Sequence, residues 1–184
     1  MKSQNEADDL FAAAYGKFEK AVQIRPDDYE AMHWWGNALA QQGKMKRGPE
    51  TGKLLAQACE KYERAVQIKP DAPEILKSWG SALLEQSKAK SGADAERFLS
   101  SAGEKLTLAE GLHRGTGAYD LARIEALSGN PDGSRRWLTV AGNAGALPSR
   151  AHLLEDDDLA SVRELDWFAN FVGSSPVSLD GGNG

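Results

Sequence analysis

Leu10, Phe11, Ala14, Phe18, Ala21 and Val22 are spaced by threes and fours, the interval that places side chains on one face of a 3.6-residue period. This pattern predicts a helix over about 5–25, ended by Pro26, whose ring cannot continue it. Asp27 with Glu30 three residues later has capping-box spacing, so Asp27 is the expected N-cap of a helix over about 28–42. That helix carries Met32, Trp35, Gly36 and Leu39, with Gly43 as its expected stop. Gly48 and Pro49 break the chain again. A long amphipathic helix follows over about 51–70 and ends at Pro70. Asp71 as cap and Glu74 then precede a helix over about 73–88 with Leu76, Trp79, Gly80 and Leu83. Another helix, over about 93–113, is closed by Gly115 and Gly117.

These stretches repeat at a spacing of 44 residues. The columns Leu10/Leu54/Phe98, Phe11/Leu55/Leu99, Ala14/Ala58/Ala102, Phe18/Tyr62/Leu106, Ala21/Ala65/Ala109 and Ile24/Ile68/Leu112 align without a gap. Lys17, Lys61 and Lys105 share the register, and so do the pairs Trp35-Gly36 and Trp79-Gly80. A fixed period in this range predicts units that bury their apolar faces by stacking on one another.

After Gly117 the rhythm shortens. Helices are predicted over 119–128, 134–143 (with Trp137, Leu138 and Ala141) and 150–154, with a strong turn at 130–133. A last helix is expected to open at the acidic run 156–158, whose charge complements a helix N-terminus, and to carry Leu159, Val162, Leu165, Phe168 and Phe171. Residues 173–184, GSSPVSLDGGNG, have the composition of a disordered tail.

The columns together resemble the tetratricopeptide repeat family. The first-helix elements are Trp35-Gly36 with Leu39 and Trp79-Gly80 with Leu83; the second-helix elements are Ala14, Phe18, Ala21, Pro26 and Ala58, Tyr62, Ala65, Pro70. The resemblance implies an all-α fold of about nine helices, a right-handed superhelical stack of antiparallel helix pairs. It implies a single solenoid over 1–172, with extended repeats over 1–117 and a terminal helical cap over 118–172. The family's period is usually 34 residues, and the ten extra residues here fall in KMKRGPETGK and KAKSGADAER, lengthening the helices or looping at one edge. The chain opens on a second-type helix, so the face from Leu10 to Ile24 is expected to lack a cover, which suggests a longer array or self-association through that helix.

In such repeats the first helices line a concave groove. The resemblance therefore points to Glu30, His33, Asn37 and Gln41, then Glu74, Lys77, Ser81 and Glu85, and by a looser alignment Tyr119 and Arg123. Asn37 matches one position of the family's carboxylate clamp, while His33 and Ser78 replace its Lys and second Asn, which leaves the clamp incomplete. A mixed polar groove of this kind suits an extended peptide, whose backbone groups an Asn amide can both donate to and accept from.

Composition narrows the classes. The 184 residues are 41% hydrophobic and 27% charged, with net charge −5, which disfavours a nucleic-acid partner. Lys44, Lys46, Arg47 and Lys53 form one basic stretch, read as a solvated loop. The single Cys59 excludes an intrachain disulfide and fits a reducing compartment such as the cytoplasm. No run is long and apolar enough to span a membrane, and the start shows no signal peptide. His33, His113 and His152 lie on separate segments without metal-ligand spacing, so no metal or other cofactor is expected. The stretch from Gly48 to Lys53 fails as a phosphate loop: three residues separate its glycines, and no Ser or Thr follows the Lys. The expected function is thus a non-enzymatic interaction scaffold for a peptide or partner protein. Self-assembly is the second reading, and a small-molecule or lipid pocket among Trp34, Trp35, Trp79 and Tyr119 the third.

Overall fold

The apolar columns become helix faces in the computed structural model, which describes residues 2–174. Among these residues the chain is all-α, with no strand. Helices α1 (Lys2–Ile24) and α3 (Pro49–Ile68) end 44 residues apart, two residues before Pro26 and Pro70. The following helices α2 (Tyr29–Met45) and α4 (Pro73–Ser87) begin 44 apart as well. Then come α5 (Gly92–Leu112), α6 (Ala118–Leu127), α7 (Pro131–Asn143), α8 (Arg150–Glu155), a 3-10 turn (Asp157–Leu159), α9 (Ala160–Arg163) and α10 (Asp166–Ser174). Sequential helices pack on each other, α1 on α2, α2 on α3, α3 on α4, and α6 on α7.

Backbone contacts divide the chain into two units, Met1–Lys105 and Leu106–Gly184, so the boundary falls within α5. The core of the first unit is built from Met32, Leu55, Ala58, Tyr62, Ala65 and Ile75. That of the second is built from Ala122, Leu138, Leu153, Leu159, Phe168 and Val172.

The sequence period reappears as repeated contacts in the first unit. Lys61 Nζ lies 4.0 Å from the centre of the Trp35 ring, and Lys105 Nζ lies 4.6 Å from that of Trp79. The Tyr15 hydroxyl donates to Gln42 Oε1 at 2.7 Å; 44 residues on, Gln86 Nε2 donates to Cys59 Sγ at 3.2 Å.

Several expectations need correction. Asp28, not Asp27, caps α2, its carboxylate accepting from the Ala31 amide at 2.9 Å. Ala72 holds the cap position of α4 without a side-chain bond, and Asp71 instead pairs with Lys69 at 2.7 Å. Pro73, with its φ preset for the first helical turn, starts that helix. Gly43 does not stop α2. It lies buried inside the helix, where an added Cβ would sit 3.4 Å from Leu54 and Leu55, so its small size serves close helix packing. Most of the stretch KMKRGPETGK is therefore helical, and the connection shrinks to residues 46–48, closed by Gly48 at φ +72°. The expected last helix is broken after Arg163, which gives ten α-helices among the described residues instead of about nine. Gly173 and Ser174 belong to α10; the rest of the expected tail, 175–184, lies outside the described residues.

Candidate functional site

Positions four apart share a helix face. On α2 this pairs Asn37 with Gln41, and on α4 Lys77 with Ser81; all four line one open cleft of about 360 Å³ in the first unit. Tyr62, Ala40 and Ala82 also line it, with Lys44, Glu74 and Ser78. Lys44, Glu74 and Lys77 are exposed, and neither lysine holds a salt bridge among the described residues.

A hydrogen-bonded chain runs beneath this surface. The buried Tyr62 hydroxyl donates to Asn37 Oδ1 at 2.9 Å, which turns the Asn37 amide nitrogen toward His33 Nε2 at 3.3 Å. Nε2 is then the acceptor, and the ring proton belongs on Nδ1. Ser78 Oγ is 3.0 Å from the same nitrogen, linking α2 to α4. Burial holds the His33 pKa below its ordinary 6.5, against the opposing pull of Glu74, which fits a neutral acceptor ring. Tyr62 is kept as a phenol by burial, which raises its pKa. The chain fixes Asn37 in one orientation and leaves its second N–H for the cleft.

The other expected groove residues lie elsewhere. Glu30 is exposed on α2, 3.5 Å from the Tyr29 hydroxyl and outside the cleft lining. Glu85 lines a separate cleft with Lys46, Thr51 and Lys88, and its carboxylate pairs with Lys88 at 3.0 Å. Tyr119 and Arg123 belong to the second unit, where both are engaged internally. Arg123 binds Asp120 at 2.7 Å and Asp156 at 3.2 Å, and also Asp158. The Tyr119 hydroxyl donates to Asp156 Oδ2 at 2.6 Å, and Arg163 donates to the Asp156 carbonyl at 2.7 Å. Arg123 thus spends its charge within the unit instead of meeting a carboxylate from outside.

This cluster recasts the acidic run. Asp156 accepts from the Asp158 amide at 3.0 Å, so the capping expectation holds for one turn, but the carboxylates of Asp156 and Asp158 are turned to Arg123. Burial favours a neutral Asp156, yet the Tyr119 hydroxyl and Arg123 outweigh it and hold the pKa below 3.8. Burial and Asp156 push the Tyr119 phenol well up. Asp120, Asp156 and Asp158 were not singled out together from the sequence; the local signal was the Asp120/Arg123 spacing, while the partners across 35 residues needed the fold.

The aromatics do not gather into one pocket. Trp35 and Trp79 pack against the first core, Trp34 is exposed and stacks on His33 at 5.6 Å, and Tyr119 serves the second unit. Cys59 behaves as the small core residue expected of it. Burial pushes its thiol pKa up to about 12, which leaves no reactive thiolate near neutral pH. Among the described residues no group of three His, Cys, Asp or Glu side chains is placed to hold a metal, and no helix is long and apolar enough to cross a membrane. No protein-family model matches the sequence, and no curated protein matches it.

Proposed function

We propose that the chain is a tetratricopeptide-like interaction module, a right-handed stack of helix pairs that holds an extended peptide or partner segment against the shared face of α2 and α4. The observation that carries this reading is the cleft itself. Asn37, Gln41, Lys77 and Ser81, four positions to which the family resemblance points, line one open cleft together with Ala40, Ala82 and Tyr62, and Asn37 is held there by Tyr62 and His33. Asn37 is held ready to donate without first losing side-chain freedom, and preorganisation of that kind lowers the cost of binding. Lys44 and Lys77 add cations that hold no salt bridge among the described residues, which favours a peptide carrying carboxylates. The repeated Lys–Trp contacts and the 44-residue period support the stacked-pair architecture. The reading is non-enzymatic, with no cofactor.

The test is selection from a random peptide library on the full chain, then titration of the enriched sequences. Binders should be enriched in Asp or Glu, and Gln41→Glu/Lys77→Glu should weaken them at least tenfold while leaving the circular dichroism unchanged. Binders that hold equally well to that variant would place the site elsewhere; a library that yields none would sink the peptide-binding reading.

A further inference from the structure

Helix α1 carries a third copy of one face of an interface that the first unit builds twice elsewhere. A step of about 100° per residue puts Leu10, Ala14, Lys17 and Ala21 on one strip of α1, next to Phe18. In α3 the matching residues are Leu54, Ala58, Lys61 and Ala65, next to Tyr62. That strip is covered by α2: Ala58 and Ala65 are fully buried, Lys61 lies over Trp35, and the Tyr62 ring fills the space where a Cβ on Gly36 would stand 2.5 Å away. Lys105 lies over Trp79 in the same way, so a Trp beneath this lysine column occurs twice.

On α1 this cover is missing among the described residues. Leu10 is 73% exposed, Ala14 and Ala21 are partly open, and Lys17 has no ring beneath it among the described residues. Tyr15 and Val22, on the neighbouring strip, are the α1 residues that pack on the first core. The open strip thus presents the cation, the aromatic ring and the two small residues that receive a Trp-Gly helix in α3.

We infer that this strip of α1 docks an amphipathic helix carrying a Trp-Gly pair that residues 1–184 do not themselves supply. The lysine asks for an aromatic face and Phe18 for a glycine opposite it, as Lys61 and Tyr62 do. A second folded copy of this chain has no such pair to spare. Its two Trp-Gly pairs are in α2 and α4, and Trp35 and Trp79 already lie beneath Lys61 and Lys105.

The probe is a labelled synthetic peptide with the sequence of residues 27–46, titrated with the full chain by fluorescence anisotropy. Saturable binding is expected, weakened at least tenfold when Phe18→Asp is placed in the protein or Gly36→Leu in the peptide. Lys17→Met should weaken it about two- to fivefold, the worth of one exposed cation–π contact. Circular dichroism and melting of Phe18→Asp, compared with the parent chain, separate a lost surface from a lost fold. No saturable binding, or equal binding to folded Phe18→Asp, overturns the inference. So does a dimer in sedimentation that Phe18→Asp dissolves and the peptide cannot compete away, because a second copy would then be the occupant. Gln41→Glu/Lys77→Glu leaves this binding intact, so the α1 strip and the α2–α4 cleft are tested independently.

Discussion

The two units solve the problem of a small helical core in opposite ways. In the first, residues 1–105, the same neutral or singly charged contacts recur at one spacing: a lysine over a tryptophan, and a Gln side chain bonded to the residue in the Tyr15/Cys59 column. In the second, one guanidinium gathers three carboxylates and a tyrosine from segments far apart in sequence. The first arrangement spreads stability over many small terms, so a single loss is tolerated. The second concentrates it, because a buried ion whose partner is removed costs far more than the pair contributes.

The largest effect should therefore come from Arg123→Met. Two of the carboxylates it leaves, on Asp120 and Asp158, are buried, and the third, on Asp156, nearly so. The expected loss is about 3–5 kcal/mol, localised to the second unit. Hydrogen exchange read by mass spectrometry should show residues 118–172 losing protection while α2 to α4 keep theirs. A change below 1 kcal/mol would mean the cluster is incidental.

Next in size is a steric test inside the repeats. Gly36→Ala drives a methyl into the Tyr62 ring at 2.5 Å, an overpacking worth about 1–3 kcal/mol of destabilisation. Gly16→Ala meets nothing within 4 Å in the interior of α1, so there the helix propensity of Ala should stabilise by up to about 1 kcal/mol. Urea midpoints of the two variants should move in opposite directions.

Acid should separate the units by its pH window. The His33 pKa is depressed in the fold, so the unfolded chain takes up this proton more readily. The contribution of a neutral His33 is present above 6.5 and is lost as pH falls from there through its folded value. Asp156 is depressed below 3.8, and its contribution persists until pH falls below that and through its own folded value. Melting of the first unit should thus decline first. His33→Gln, which can still accept from Asn37, should flatten that decline between pH 7 and 5 and leave the lower transition in place.

What could be read from the sequence follows the same division. The 44-residue columns gave the helices of the first unit, because repetition makes each apolar position visible more than once. The family resemblance pointed to Asn37, Gln41, Lys77 and Ser81 as groove positions, and these four line one cleft of the first unit. The caps were off by a residue, Asp27 for Asp28 and Asp71 for Ala72, although the start of α4 at Pro73 was legible. Gly43 looked like a stop because its packing against Leu54 and Leu55 is a tertiary fact. In the second unit nothing repeats, and the link from Arg123 to Asp156 and Asp158 spans more than thirty residues without a pattern to announce it. An arginine read as a groove donor turned out to hold its own unit together.

The smallest expected effect tests whether the repeated contact matters at all. Lys61→Met keeps an unbranched apolar stem over Trp35 and removes only the cation, so packing is largely preserved. A cation–π contact at a partly open site is worth about 0.5–1 kcal/mol, and the melting transition should fall by that amount. Lys17→Met changes the same column where no ring lies beneath among the described residues, and should leave stability unchanged within error. If both variants lose equally, the lysine column contributes through helix propensity or surface charge, and the Trp beneath it is a bystander. If only Lys61→Met loses, the contact is a real term of the stack, and Lys17 marks the place where the same term is waiting for a partner.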